Sequence, residues 1–214
     1  MADYVESEIN IYKMEKISIA RDFVSKLPKR HIIFAGISGS VSYDPLPDDD
    51  IDLLIITEGN HLWTVLFQAF ILRRLIGQAD ICMSLCMDTQ FATNLFSSSM
   101  DSLQRRDAYH VIPLIGEAYF REILTGIQRF QETPRQEIER SRGKESKRSG
   151  QVNPFLLILF PPMATYLYIK SLLFNHRSVM KDSPEKCYRV RIGPHHFYLD
   201  TEKYARLRRE ADDR

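Results

Sequence analysis

The stretch from His31 to Thr57, HIIFAGISGSVSYDPLPDDDIDLLIIT, limits what this chain can fold into more than any other. Ile32, Ile33, Phe34 and Ala35 form a short apolar run that Gly36 ends. Ile51, Leu53, Leu54, Ile55 and Ile56 form a second run of aliphatic residues. Apolar runs of this length, bounded by turn residues, suit buried strands rather than helices. The stretch therefore reads as strand, small-residue turn, acidic loop, strand. Gly39-Ser40 and Asp48-Asp49-Asp50 lie between the two runs, and Asp52 sits just inside the second. Side chains two apart on a strand point the same way, so Asp50 and Asp52 share a face.

That placement is costly for two free carboxylates. At about 5 Å they repel by roughly 3 kcal/mol in an effective dielectric near 20. A divalent cation reverses the sign, and Mg²⁺ is commonly held by one or two carboxylates plus substrate phosphates. Gly39-Ser40 supplies the other half of the arrangement. Without a side chain at Gly39, backbone N–H groups can approach a phosphate, and the N-terminus of a following helix favours anions. An Asp-rich solvated turn would account for Asp48 and Asp49. It would not account for Asp52 in an apolar strand, where an ionised side chain is expensive unless paired or metal-bound.

Gly39-Ser40, nine intervening residues, then Asp50-Ile51-Asp52 with an apolar tail resembles the signature of the nucleotidyltransferase superfamily related to DNA polymerase β. The resemblance covers about Ile32 to Asp88, less than half the chain. It implies a small mixed sheet with helices largely on one face and two Mg²⁺ ions. It also implies attack by an acceptor hydroxyl on the α-phosphate of a nucleoside triphosphate such as ATP, with pyrophosphate leaving. Asp50 and Asp52 would bridge the metals, and Gly39 and Ser40 would hold the β- and γ-phosphates. In the superfamily a third carboxylate lies on the strand after the next helix; Asp80 is the best match, with Asp88 the weaker one. Asp80 would complete the site and help deprotonate the acceptor. One departure is that Val41-Ser42-Tyr43 follow Gly-Ser, unlike the Ala-Arg-Gly of the minimal, antitoxin-like branch. The acceptor, whether small molecule, protein or RNA, stays open. The rival reading is a nucleotide-binding or interaction module of the same fold without turnover.

The flanking segments support an α/β domain. Ile9, Met14, Ile17, Ala20, Phe23, Val24 and Leu27 recur at helical spacing before Pro28. This predicts a helix packing an apolar stripe on the sheet. After Glu58-Gly59-Asn60, with Asn60 as expected N-cap, a second helix runs to about Ile76. Trp63 would pack it on the sheet, and Arg73-Arg74 read as a solvated end that suits the helix dipole. Gly77-Gln78 lead into a third strand, Asp80 to Met87. Cys82 and Cys86 within it read as buried apolar residues.

From Thr89 to Phe130 the pattern predicts helices in pieces, with His110 a structural or surface histidine. RQEIERSRGKESKRSG, 135–150, reads as a charged linker or loop. The apolar run in 153–174 is interrupted by Pro161-Pro162 and Lys170, which argues against a membrane span. It reads as an apolar lead-in followed by a helix with proline near its first turn. His195-His196 read as a loop pair, followed by a polar helix from about Thr201.

A net charge of +1 creates no global field that selects nucleic acid or membrane. Three cysteines give no disulfide framework and fit a reducing, cytoplasmic setting, and MADYVESEIN does not read as a signal peptide. The expected layout is a nucleotidyltransferase domain over 1–130, a charged linker over 131–152, and a helical C-terminal region over 153–214.

Overall fold

The aliphatic runs that bracket the acidic loop pair directly. Strands β1 (Ile32–Ser38) and β2 (Ile51–Thr57) are antiparallel, with Ser38 opposite Asp52 and Ile32 opposite Thr57. A computed structural model describes residues 2–43, 45–96, 107–132, 154–180 and 187–201. Helix α1 (Ala2–Lys26) precedes β1, and α2 (Leu62–Leu75) carries the chain from β2 to β3 (Ile81–Asp88). β3 lies parallel to β2, and a parallel neighbour requires such a crossover.

Alternation along β2 divides the core into two. Ile51, Leu53 and Ile55 pack with Phe23 and Val24 of α1 and with Trp63 and Leu66 of α2. Leu54 and Ile56 face the other way, against Ala92 and Phe96 of α3 (Thr89–Phe96). Phe120 of α4 (Glu117–Glu132) joins that second layer, its ring stacked on Phe34 at 4.3 Å. Helices therefore cover both faces, which corrects the expectation of helices largely on one. Burying an aliphatic or aromatic side chain stabilises by roughly 1.5–3 kcal/mol. Five such residues of β2 are buried, and their burial offsets the cost of placing Asp52 among them.

Ile112–Ile115, in a region expected to be helical, forms β4, antiparallel to β1. Pro113 lacks an N–H donor, and β4 is the edge of the sheet, where proline is tolerated. In the C-terminal region α5 (Pro154–Met180) is one continuous helix that contains Pro161 and Pro162. It starts at Pro154, whose missing N–H costs nothing at a first helical position. The prolines are thus interior, not near the first turn as expected.

The described residues after α5, 187–201, are not helical. β5 (Tyr188–Gly193) and β6 (His196–Thr201) form a hairpin, and β6 pairs with β3. The sheet order is β4-β1-β2-β3-β6-β5. Residues 187–201 thus complete the same sheet as the first 130 residues. His196 lies in a strand rather than a loop, its ring stacked on Phe91 at 4.3 Å. The charged linker lies outside the described residues, except Gln131 and Glu132 at the end of α4, and so does the polar helix expected beyond Thr201. No helix among the described residues is long and apolar enough to cross a membrane.

Candidate functional site

The parallel register of β2 and β3 assembles the acidic site. Ile51 lies beside Ile81 and Asp52 beside Cys82. The Ile51 amide donates to the Asp80 carbonyl at 2.7 Å. Asp50 and Asp80, each just before its strand, are therefore neighbours across the strand starts. On β2, Asp52 shares the face of Leu54 and Ile56. Ile81 and Met83 point into the opposite core layer, so Cys82 and Ser84 fall on the Asp52 side.

Charge and burial act together on these acids. Burial first, then the charge of Asp50, pushes the Asp52 carboxyl from 3.8 up to about 7; hydrogen bonds from Ser84 and Cys82 pull the other way. Asp50 is also raised, first by loss of water and then by Asp80, while Arg73 and Lys16 lower it. Asp50 is thus coupled to both other acids, whereas Asp80 lies exposed at the rim. Burial, followed by the charge of Asp52, pushes the Cys82 thiol up to about 12, so it stays protonated and can donate to Asp52.

Gly39 closes the site from β1. Its φ of 68° and ψ of −155° lie where residues with a side chain rarely go. Ser40–Ser42 then make a single 3₁₀ turn, with the Ser42 hydroxyl donating to the Gly39 carbonyl at 2.7 Å. The longer helix expected after Gly39-Ser40 is not formed. The amides of Ser42 and Tyr43 are used within the turn, donating to the carbonyls of Gly39 and Ser40.

Several positioning residues escaped the sequence reading. Lys13 of α1 donates to the carbonyls of Ser42 and Tyr43, at 3.3 and 2.6 Å. Lys16, one turn later and nearly buried, donates to the carbonyls of Pro47 and Asp49. Helix α1 thus grips the acidic loop as well as packing on the sheet. The only hint in the sequence was a pair of lysines three apart, the spacing of one helix face. Arg73 is not a merely solvated end: its guanidinium donates to the carbonyls of Gln78 and Ala79, fixing the turn that leads into Asp80. Tyr43 stacks on His110 at 4.4 Å and donates to Asp107 at 2.7 Å, so His110 has a structural contact beside the loop.

The weaker match, Asp88, lies at the other end of β3. It is fully buried, accepts from the Phe91 amide at 3.0 Å at the start of α3, and pairs with His195 Nδ1 at 2.6 Å. It cannot reach the strand starts where Asp50 and Asp52 stand. Asn60 has a φ of 65° and its amide donates to Asp88 at 3.4 Å; His61, not Asn60, occupies the N-cap position of α2. Trp63 packs as expected and donates to the Pro194 carbonyl at 3.0 Å. Among the described residues, the trio of His, Cys, Asp or Glu ligand atoms gathered within 4.8 Å is His31, Glu58 and His61. Asp50, Asp52 and Asp80 form a more open row.

The donor set at the acidic end is oxygen-rich and anionic, which suits a hard cation such as Mg²⁺. Comparison with protein-family models, characterised proteins and solved structures finds no match to this chain.

Proposed function

We propose that this chain is a Mg²⁺-dependent nucleotidyltransferase that moves a nucleoside monophosphate from a triphosphate such as ATP to an acceptor hydroxyl, releasing pyrophosphate. The observation that carries the reading is Asp52: a carboxylate in an apolar strand, raised by burial, beside Asp50 and backed by a glycine that leaves it room. A divalent cation bound there would offset the repulsion between Asp50 and Asp52, and bound Mg²⁺ supplies charge stabilisation to attacking and leaving oxygens. Asp50 and Asp52 would hold the metal and stay ionised once it is bound. The Ser40 hydroxyl and the amides at the start of its turn would hold the β- and γ-phosphates, and Gly39 lets them come close. Asp80, at the open rim, would accept the proton of the acceptor hydroxyl and release it to solvent. Lys16 and Arg73 would keep the acidic loop and the Asp80 turn in register.

The second reading is a nucleotide-binding or interaction module without turnover. What favours it is the exposed position of Asp80 and the openness of the acidic row. One experiment separates the two. The full chain is incubated with α-phosphate-labelled triphosphate, Mg²⁺, and hydroxyl acceptors of each class: RNA, protein and small molecules. Transfer of label with pyrophosphate release, lost in Asp52→Asn, is the expected result. Magnesium-dependent binding without transfer to any acceptor class would favour the module.

A further inference from the structure

At the other end of β2, roughly 20 Å from Asp52 at about 3.3 Å per residue, lies a second group of ligating side chains. His31 precedes β1, Glu58 follows β2, and His61 opens α2. The backbone ties all three together. The Glu58 amide donates to the His31 carbonyl at 3.0 Å, and the His61 amide donates to the Glu58 carbonyl at 3.2 Å. Asn60, in the left-handed region, turns the chain so that the His61 ring lies flat on the His31 ring, at 3.6 Å and 4° between planes. His31 Nδ1 meets Glu58 Oε2 at 2.8 Å. One ligand atom from each residue falls within 4.8 Å of the others.

We propose that His31, Glu58 and His61 form a binding site for a divalent transition metal of the zinc class, separate from the acidic site. Two imidazoles and one carboxylate are a donor set that zinc accepts, with a water in the fourth position. The same set suits zinc-class ions better than Mg²⁺, which prefers oxygen alone. Little movement is needed. Tetrahedral ligands at about 2.0–2.1 Å from zinc stand roughly 3.3 Å apart, so the 2.8 Å between His31 and Glu58 must open by about half an ångström. The ion takes the place of the proton between His31 Nδ1 and Glu58, and exchange with solvent leaves the ring neutral with its one proton on Nε2. The His61 ring tilts out of the stack to turn a nitrogen lone pair to the ion. Its side chain makes no capping hydrogen bond to α2 that this would break. A bound ion would clamp the start of β1, the end of β2 and the start of α2, and so favour the folded state.

The proposal does not depend on nucleotidyl transfer. The test uses the full chain, stripped with EDTA, dialysed, and titrated with Zn²⁺ against a chromophoric chelator in excess Mg²⁺. One saturable equivalent and a raised melting temperature are expected, with Co²⁺ giving the visible absorption of a tetrahedral site. Loss of a residue behind a metal ligand already costs roughly 10–100-fold in affinity, so His61→Ala and Glu58→Gln should each cost at least that. Asp52→Asn should leave zinc affinity unchanged. Glu58→Gln keeps the side-chain shape and carries the test should His61→Ala unfold. The absence of saturable binding, indifference to Glu58→Gln, or loss of zinc in Asp52→Asn would each overturn the proposal; the last would seat the ion among the acids.

Discussion

A Cβ atom placed on Gly39 would overlap Oδ2 of Asp52 and stand 3.1 Å from its Cγ. The glycine and the carboxylate, thirteen positions apart in sequence, therefore occupy one another's space. Gly39→Ala should fail twice, through a backbone conformation that costs about 1–3 kcal/mol and through displacement of Asp52. Denaturant unfolding should show the first effect, and calorimetry should show loss of Mg²⁺-dependent triphosphate binding. A variant that melts and binds like the parent would break the link between turn and carboxylate.

Asp52 gives a pH signature with a definite sign. Its carboxyl titrates near 3.8 ordinarily and at about 7 in the fold, so between those values the folded state holds more protons than the unfolded one. Stability of the metal-free protein should therefore fall as pH rises from about 4 to about 7. Asp50, also raised, adds in the same direction. Asp52→Asn should flatten the slope and melt at or above the parent at pH above 7. Melting curves across pH in EDTA decide this; a steeper slope in the variant would contradict it.

On the proposed mechanism, Asp80 would separate catalysis from binding. A positioned base contributes about 10²- to 10⁴-fold, so Asp80→Ala should lower kcat by that range. Triphosphate affinity should change little, because Gly39, Ser40, Asp50 and Asp52 remain. Unchanged turnover would remove Asp80 from the mechanism.

Lys16 holds two loop carbonyls from a nearly buried position. Lys16→Met keeps the length of the side chain and removes both bonds. Hydrogen bonds to a charged group contribute about 1.5–3 kcal/mol each, and a loss toward the low end is expected because water can replace the amine. Hydrogen exchange of the Asp49 and Ile51 amides should rise. Unaltered exchange there would mean that the loop is held by other contacts.

Asp88 should behave as a structural acid. Asp88→Ala removes the acceptor for the Phe91 amide and the partner of His195. Cap loss of this type costs about 0.5–2 kcal/mol. Thermal stability should drop while Mg²⁺-triphosphate affinity in the surviving folded protein stays level. A selective loss of affinity would contradict the assignment.

Much of the site was legible in the chain because its parts are local. The run from Ile32 to Ser38, the Gly39 turn and the run from Ile51 to Thr57 are adjacent, and period-two alternation is what predicts Asp50 and Asp52 on one face. The strand from Ile81 and the helix before it followed from the same kind of pattern. Tertiary structure decided what depends on partners far along the chain. β4 was hidden because its four residues around Pro113 become a strand only beside β1, and the hairpin of β5 and β6 because a free alternating segment has no sheet until β3 accepts it. Lys13 and Lys16 looked like the polar side of a helix; what they grip lies 29 to 33 positions away. His31 and Glu58 meet because antiparallel pairing returns β2 to where β1 began, and a turn at Asn60 folds His61 onto them. Side-chain periodicity is a property of the local backbone and can be read from order alone. Convergence of ligands across strands is set by register, which only the assembled sheet defines.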